Sequence, residues 1–126
     1  MKKLILASLF ILVSSMAYSH EMVPTYPKLR ISAYTGIVET EMEMFNYRQD
    51  VEYYEIAVFD KNWRPIPFVS QYKIVRLSYL QRVKFKIYIA ENHRDSAKYI
   101  CSKSRLRGEE QPTTVISSMI CSKFKD

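Results

Sequence analysis

The sequence predicts an all-β domain, an immunoglobulin-like antiparallel β-sandwich of about seven strands joined by Greek-key connections. Period-two alternation of apolar and polar residues recurs in short runs, whereas helical periodicity is scarce. The runs are separated by turn-forming clusters at near-regular spacing, as in a sandwich. Tyr, Val and Ile suit pleated, half-buried surfaces, while only Gly36 and Gly108 offer the free backbone that tight hairpin turns require. Most connections are therefore expected to be longer loops or crossings between sheets, which favours a Greek key over a meander.

The chain opens with Lys2 and Lys3, an apolar run from Leu4 to Val13, and the polar stretch Ser14 to Ser19. A basic start, an apolar run too short for a bilayer, and small residues at Ala17 and Ser19 read as a secretory signal cleaved after residue 19. The expected mature chain is then a single domain, 20–126, with no stable membrane span, in the periplasm or secreted. Removing nineteen of the 126 residues leaves 107, enough for one modest core and too few for two. Two lysines leave with the leader, so the formal charge falls from +6 to +4. The remaining Lys and Arg alternate with Asp and Glu, which describes a solvated surface and not a nucleic-acid footprint.

The first run after the leader is Lys28 to Ala33, followed by Glu39 to Asn46 and a turn from Asn46 to Asp50. Glu52 to Phe59 ends at Asp60-Lys61-Asn62, and two short runs follow, Pro65 to Val69 and Tyr72 to Leu77. In Val83 to Ile89 the alternation is clearest, with Val83, Phe85, Ile87 and Ile89 on one side and Lys84, Lys86 and Tyr88 on the other. Beyond the polar Glu91 to Ser96 come Lys98 to Lys103, a turn at Arg107 to Glu110, and a last run from Thr114 to Phe124. There Ile116, Ser118, Ile120, Ser122 and Phe124 share one face. Large groups spaced by serines suit contact with another chain's strand, although a plain terminal strand has the same pattern.

Cys101 and Cys121 are the only cysteines. In an exported chain an even pair implies a disulfide, and no CxxC spacing or nucleophile signature supports a metal site or a reactive thiol. Closing a loop of this length contributes roughly 3 kcal/mol in the chain-entropy model. A tight turn at Gly108-Glu109 would set Cys101 opposite a residue near Ser117, so the bridge requires a wide loop from about Arg105 to Pro112, or a bulge.

From Val23 to Lys125 the chain resembles the N-terminal immunoglobulin-like domain of the periplasmic chaperones of the chaperone–usher pathway of pilus assembly, as a single-domain version. Leu29-Arg30-Ile31 and Glu41 to Asn46 are similar to that family's first two strands, and Tyr53 to Phe59 to its third. Arg76-Leu77-Ser78-Tyr79-Leu80-Gln81 resembles its Arg-Leu-x-Pro-Gly-Gln turn, with Tyr79-Leu80 in place of Pro-Gly. The last strand closes on a similar Lys-x-Lys pair, Lys123 and Lys125. The resemblance implies a non-enzymatic chaperone or assembly adaptor. Arg30 and Lys125 would anchor a partner's terminal carboxylate, while Ile116 and Ile120 would serve strand addition. It further implies that Cys101–Cys121 joins the last two strands. The partner would be a protein subunit of an extracellular or viral assembly.

Two other readings remain open. Cleavage after Ser19 would leave His20 as the amino terminus, whose α-amine and imidazole suit Cu(II), with His93 as a further ligand of a copper-binding sandwich. The domain could also be a structural or virion-associated binding module. For catalysis the chain offers no Gly-x-Ser-x-Gly, no His-Glu-x-x-His and no phosphate-cradling loop, so an enzyme is not expected. Glu41 and Glu43 read as an exposed face, and Trp63 with nine mature tyrosines as packing or a carbohydrate platform.

Overall fold

The computed structural model describes residues 19–105 and 117–125; the expected leader therefore lies outside the described residues except for Ser19. Two antiparallel sheets pack face to face, and no α-helix occurs among the described residues. The strands are β1 (His20–Val23), β2 (Arg30–Ile31), β3 (Ile37–Asn46), β4 (Tyr53–Phe59), β5 (Val69–Ser70), β6 (Ile74–Arg76), β7 (Arg82–Ala90), β8 (Tyr99–Arg105) and β9 (Met119–Lys123). A single 3₁₀ turn spans Glu91–His93.

One sheet has the order β1-β3-β7-β5, with β2 also on β3; the other has the order β6-β4-β8-β9. Taking β1 and β2 as halves of one interrupted first strand and β6 as an addition beside the third, this is the ABED and CFG order of an immunoglobulin-like sandwich. Alternation fills the core as the sequence predicts. Val38, Met42 and Met44 of β3, Tyr54, Ile56 and Val58 of β4, and Phe85, Ile87 and Ile89 of β7 are buried, while their neighbours in sequence face outward.

The structure differs from the expected strands at both ends of the chain. His20–Val23 pairs with Asn46 to Glu43, although it is too short to show periodicity by itself. The run from Lys28 to Ala33 shrinks to two paired residues, because Pro24 and Pro27 interrupt the first strand. Between those halves the chain leaves β3 and runs parallel to the end of β9: the Lys123 N–H donates to Thr25 C=O at 3.0 Å and the Lys125 N–H to Pro27 C=O at 2.8 Å. This crossover closes the sandwich along one side. In the last run, Ile116 lies outside the described residues, and β9 begins only at Met119.

Asn46 pins one end of the core. It is fully buried, its amide donates to Val51 and Leu77 carbonyls, both at 2.8 Å, and its Oδ1 accepts the Tyr54 hydroxyl at 2.6 Å and the Arg48 N–H at 2.8 Å. All four of its side-chain hydrogen-bonding positions are filled, which is what a buried amide requires. Burial pushes the Tyr54 phenol up to about 12, with the Arg48 charge opposing that rise.

Candidate functional site

The disulfide joins residues directly opposite one another on β8 and β9, with Cα atoms 4.1 Å apart. That separation suits a pair whose backbones do not bond each other, since the flanking bonds run between Ser118 and Ser104 and between Phe124 and Lys98. The register brings Cys121, and not a residue near Ser117, opposite Cys101.

The same alternation decides which groups β9 offers to another chain. Even-numbered residues bond β8, so the N–H and C=O groups of Met119, Cys121 and Lys123 point to the outer edge. Thr25 takes the Lys123 N–H, whereas those of Met119 and Cys121 have no partner among the described residues. The open edge is thus two rungs long and ends where the crossover begins. Met119 is 54% exposed beside it. Ile120 points the other way and packs against the core. It is therefore a wedge inside this sandwich and not a knob for a partner, and a charge there would be buried.

Around the far end of this edge lies a cleft of about 300 Å³. Its floor is apolar, from Leu29, Ala97 and Phe124, and its rim carries Lys28, Arg94, Lys98 and Lys125 against one acid, Asp95. The Arg94 guanidinium donates to Leu29 C=O at 3.3 Å, which ties the 3₁₀ turn to the crossover. Arg30 lines a separate neighbouring groove, and Lys28 lines both. The expected Arg30–Lys125 pair is thus distributed over two adjoining grooves, with Lys28 between them and Lys123 exposed on the outer face of β9. Sequence reasoning missed Lys28, Arg94 and Lys98, which no spacing along the chain connects.

The two histidines do not converge on one ion. His20 is buried beside Asn46 at one end of β3, and His93 follows β7 at the other, roughly 30 Å away at the usual rise per residue. The His20 Nε2–H donates to Ser102, at 2.7 Å from its Oγ and 3.2 Å from its carbonyl. Because a carbonyl only accepts, the proton sits on Nε2, and Nδ1 accepts from the hydroxyls of Ser19 at 3.3 Å and Ser118 at 3.4 Å. The ring packs on Tyr54 at 4.4 Å between centroids. Burial holds its pKa below the usual 6.5, opposed by the Ser102 bond and reinforced by Arg48. A copper site on both histidines is therefore not what the fold assembles.

The sequence matches no protein family and no curated protein. Among the described residues, no three His, Cys, Asp or Glu side chains gather, and no helix is long and apolar enough to cross a membrane.

Trp63 is held at φ 61°, a left-handed backbone rare for a bulky residue. Asp60 makes the turn, accepting the N–H groups of Asn62 and Arg64 on its carboxylate at 2.8 and 2.9 Å. The indole lies flat on Tyr99, 4.4 Å between centroids and 5° from parallel, which makes it outer-face packing. Glu43 is paired with Arg82 at 3.0 Å and Glu39 with Lys86 at 3.6 Å, so much of this acidic row forms cross-strand ladders.

Proposed function

We propose that the protein is an exported, non-enzymatic chaperone or assembly adaptor that binds a partner polypeptide along the β9 edge. The observation that carries this reading is the open edge of β9 at Met119 and Cys121, which leads towards a cleft rimmed by cations. An extended segment would add two rungs to the sheet, and main-chain pairing of this kind tolerates many sequences. A terminal carboxylate would lie among Lys28, Lys125 and Arg94, where charge-assisted bonds are strong and the apolar floor takes the last side chain. Arg30, in the adjoining groove, would contribute through the shared Lys28. This modifies the pairing that the chaperone resemblance implies, since Ile120 belongs to the domain's own core and the edge contributes backbone instead.

The test uses short peptides of alternating apolar residues in two forms, one ending in a free carboxylate and one amidated. The free acid is expected to bind about tenfold or more tightly than the amide, and Lys125→Ala to erase that difference. Met119→Pro removes one outward N–H at an exposed position and is expected to weaken both forms. Equal binding of acid and amide would overturn the carboxylate anchor. Unchanged binding by Met119→Pro would overturn the edge.

A further inference from the structure

The interruption of the first strand leaves a defined hole in the ladder on β3. β1 pairs with β3 from His20↔Asn46 to Val23↔Glu43, and β2 resumes at Arg30↔Glu39, so the crossover residues between them skip Thr40, Glu41 and Met42. Odd-numbered residues of β3 direct their main-chain groups to this side: Ile37 C=O accepts the Ser32 N–H here, whereas Asn46 N–H donates the other way, to Gln81. Glu41 is the odd residue in the gap. Its N–H and C=O face the space without a partner among the described residues.

That space is a groove of about 380 Å³, bounded by Pro24 on one side and Lys28 and Arg30 on the other. Thr40 lines it while being only 7% exposed, and its hydroxyl makes no hydrogen bond among the described residues. No buried side-chain polar atom among the described residues lacks a partner, so this hydroxyl opens onto the groove, where a ligand in the missing rung could reach it. The charges are of both signs and only partly paired. Lys86 and Glu39 form an ion pair at 3.6 Å, whereas Lys28, Arg30 and Glu41 make none among the described residues.

We propose that this groove binds a free α-amino acid, which takes the place of the missing rung. In an antiparallel ladder one residue offers an N–H and a C=O to the residue opposite. A free amino acid carries the same two functions as an ammonium and a carboxylate on one carbon. Its ammonium donates to Glu41 C=O and neutralises the Glu41 carboxylate. Its carboxylate accepts the Glu41 N–H and the Arg30 fork, with Lys28 beside it and the Thr40 hydroxyl below. The volume leaves room for a side chain towards solvent. This site does not involve the β9 edge, although it shares Lys28 and Arg30 with the carboxylate anchor proposed above.

Titration of the uniformly ¹⁵N-labelled protein with L-alanine tests it. The expected result is a saturable shift of the Thr40 and Glu41 amide signals, with acetate, methylammonium and doubly blocked alanine (N-acetyl, N′-methylamide) giving none at the same concentration. Thr40→Val is expected to weaken binding about fivefold, and Arg30→Gln about tenfold. Arg30 is exposed, so its substitution leaves the fold intact and keeps the test decisive if Thr40→Val disturbs the core. Absence of a saturable shift overturns the proposal. Equal binding of acetate reduces the site to an anion contact, and equal binding of blocked alanine to backbone pairing alone; either result also overturns it.

Discussion

At the scale of single residues, polar groups in the core make the sharpest demands. His20 is bonded in its neutral form, with Arg48 close enough to disfavour a second proton. Its folded pKa lies below the unfolded value of 6.5, so the unfolded chain binds more protons as pH falls. Stability from this residue is fully present above pH 6.5 and declines below it. Thermal melts from pH 8 to 5 are expected to show that decline, and His20→Gln to flatten it. Asn46 is the second case. Asn46→Ala would strip partners from the Val51 and Leu77 carbonyls and the Tyr54 hydroxyl together, an expected loss of about 3 kcal/mol in urea denaturation. Neither role was legible in the sequence. Asn46 reads there as the start of a turn, because a side chain that bonds Val51, Tyr54 and Leu77 at irregular separations leaves no periodic trace.

Among the elements, the alternating runs were legible to within a residue or two where the strand itself is long and buried on one face. Val83 to Ile89 and Glu52 to Phe59 match β7 and β4 closely because burial on one face imposes the period. β1 and β5 were not legible, being too short to display a period, and the register of β9 depends on residues sixteen or more apart in sequence. The turn after β6 is a more local matter. Gln81 N–H closes it on Ser78 C=O at 3.0 Å, with Leu80 between them at φ 62°, in the left-handed region that favours glycine. Leu80 is 54% exposed, so its side chain returns little burial. Leu80→Gly is expected to raise stability by about 0.5–1 kcal/mol, the relief of left-handed strain less the added chain entropy. A melting temperature raised by a few degrees would be the measured sign.

Across the whole molecule, the two sheets are joined through their packed faces and the crossover, while the disulfide staples β8 to β9 within one sheet. The sandwich itself could be read from the sequence. The candidate cleft could not, because Lys28, Arg94, Lys98 and Lys125 come from three segments far apart in sequence that only the folded chain brings together. Replacing both cysteines with serine frees a long loop in the unfolded chain and is expected to cost about 3 kcal/mol, measured by denaturant midpoint. The crossover has a mechanical consequence as well. Thr25 to Pro27 and Lys123 to Lys125 run in the same direction, so tension applied between the two termini slides these segments along each other. Their two hydrogen bonds are then loaded together in shear and must break at once, instead of peeling one after the other as in a hairpin opened from its end. The domain therefore resists being drawn out by its ends at the place where its first strand is broken.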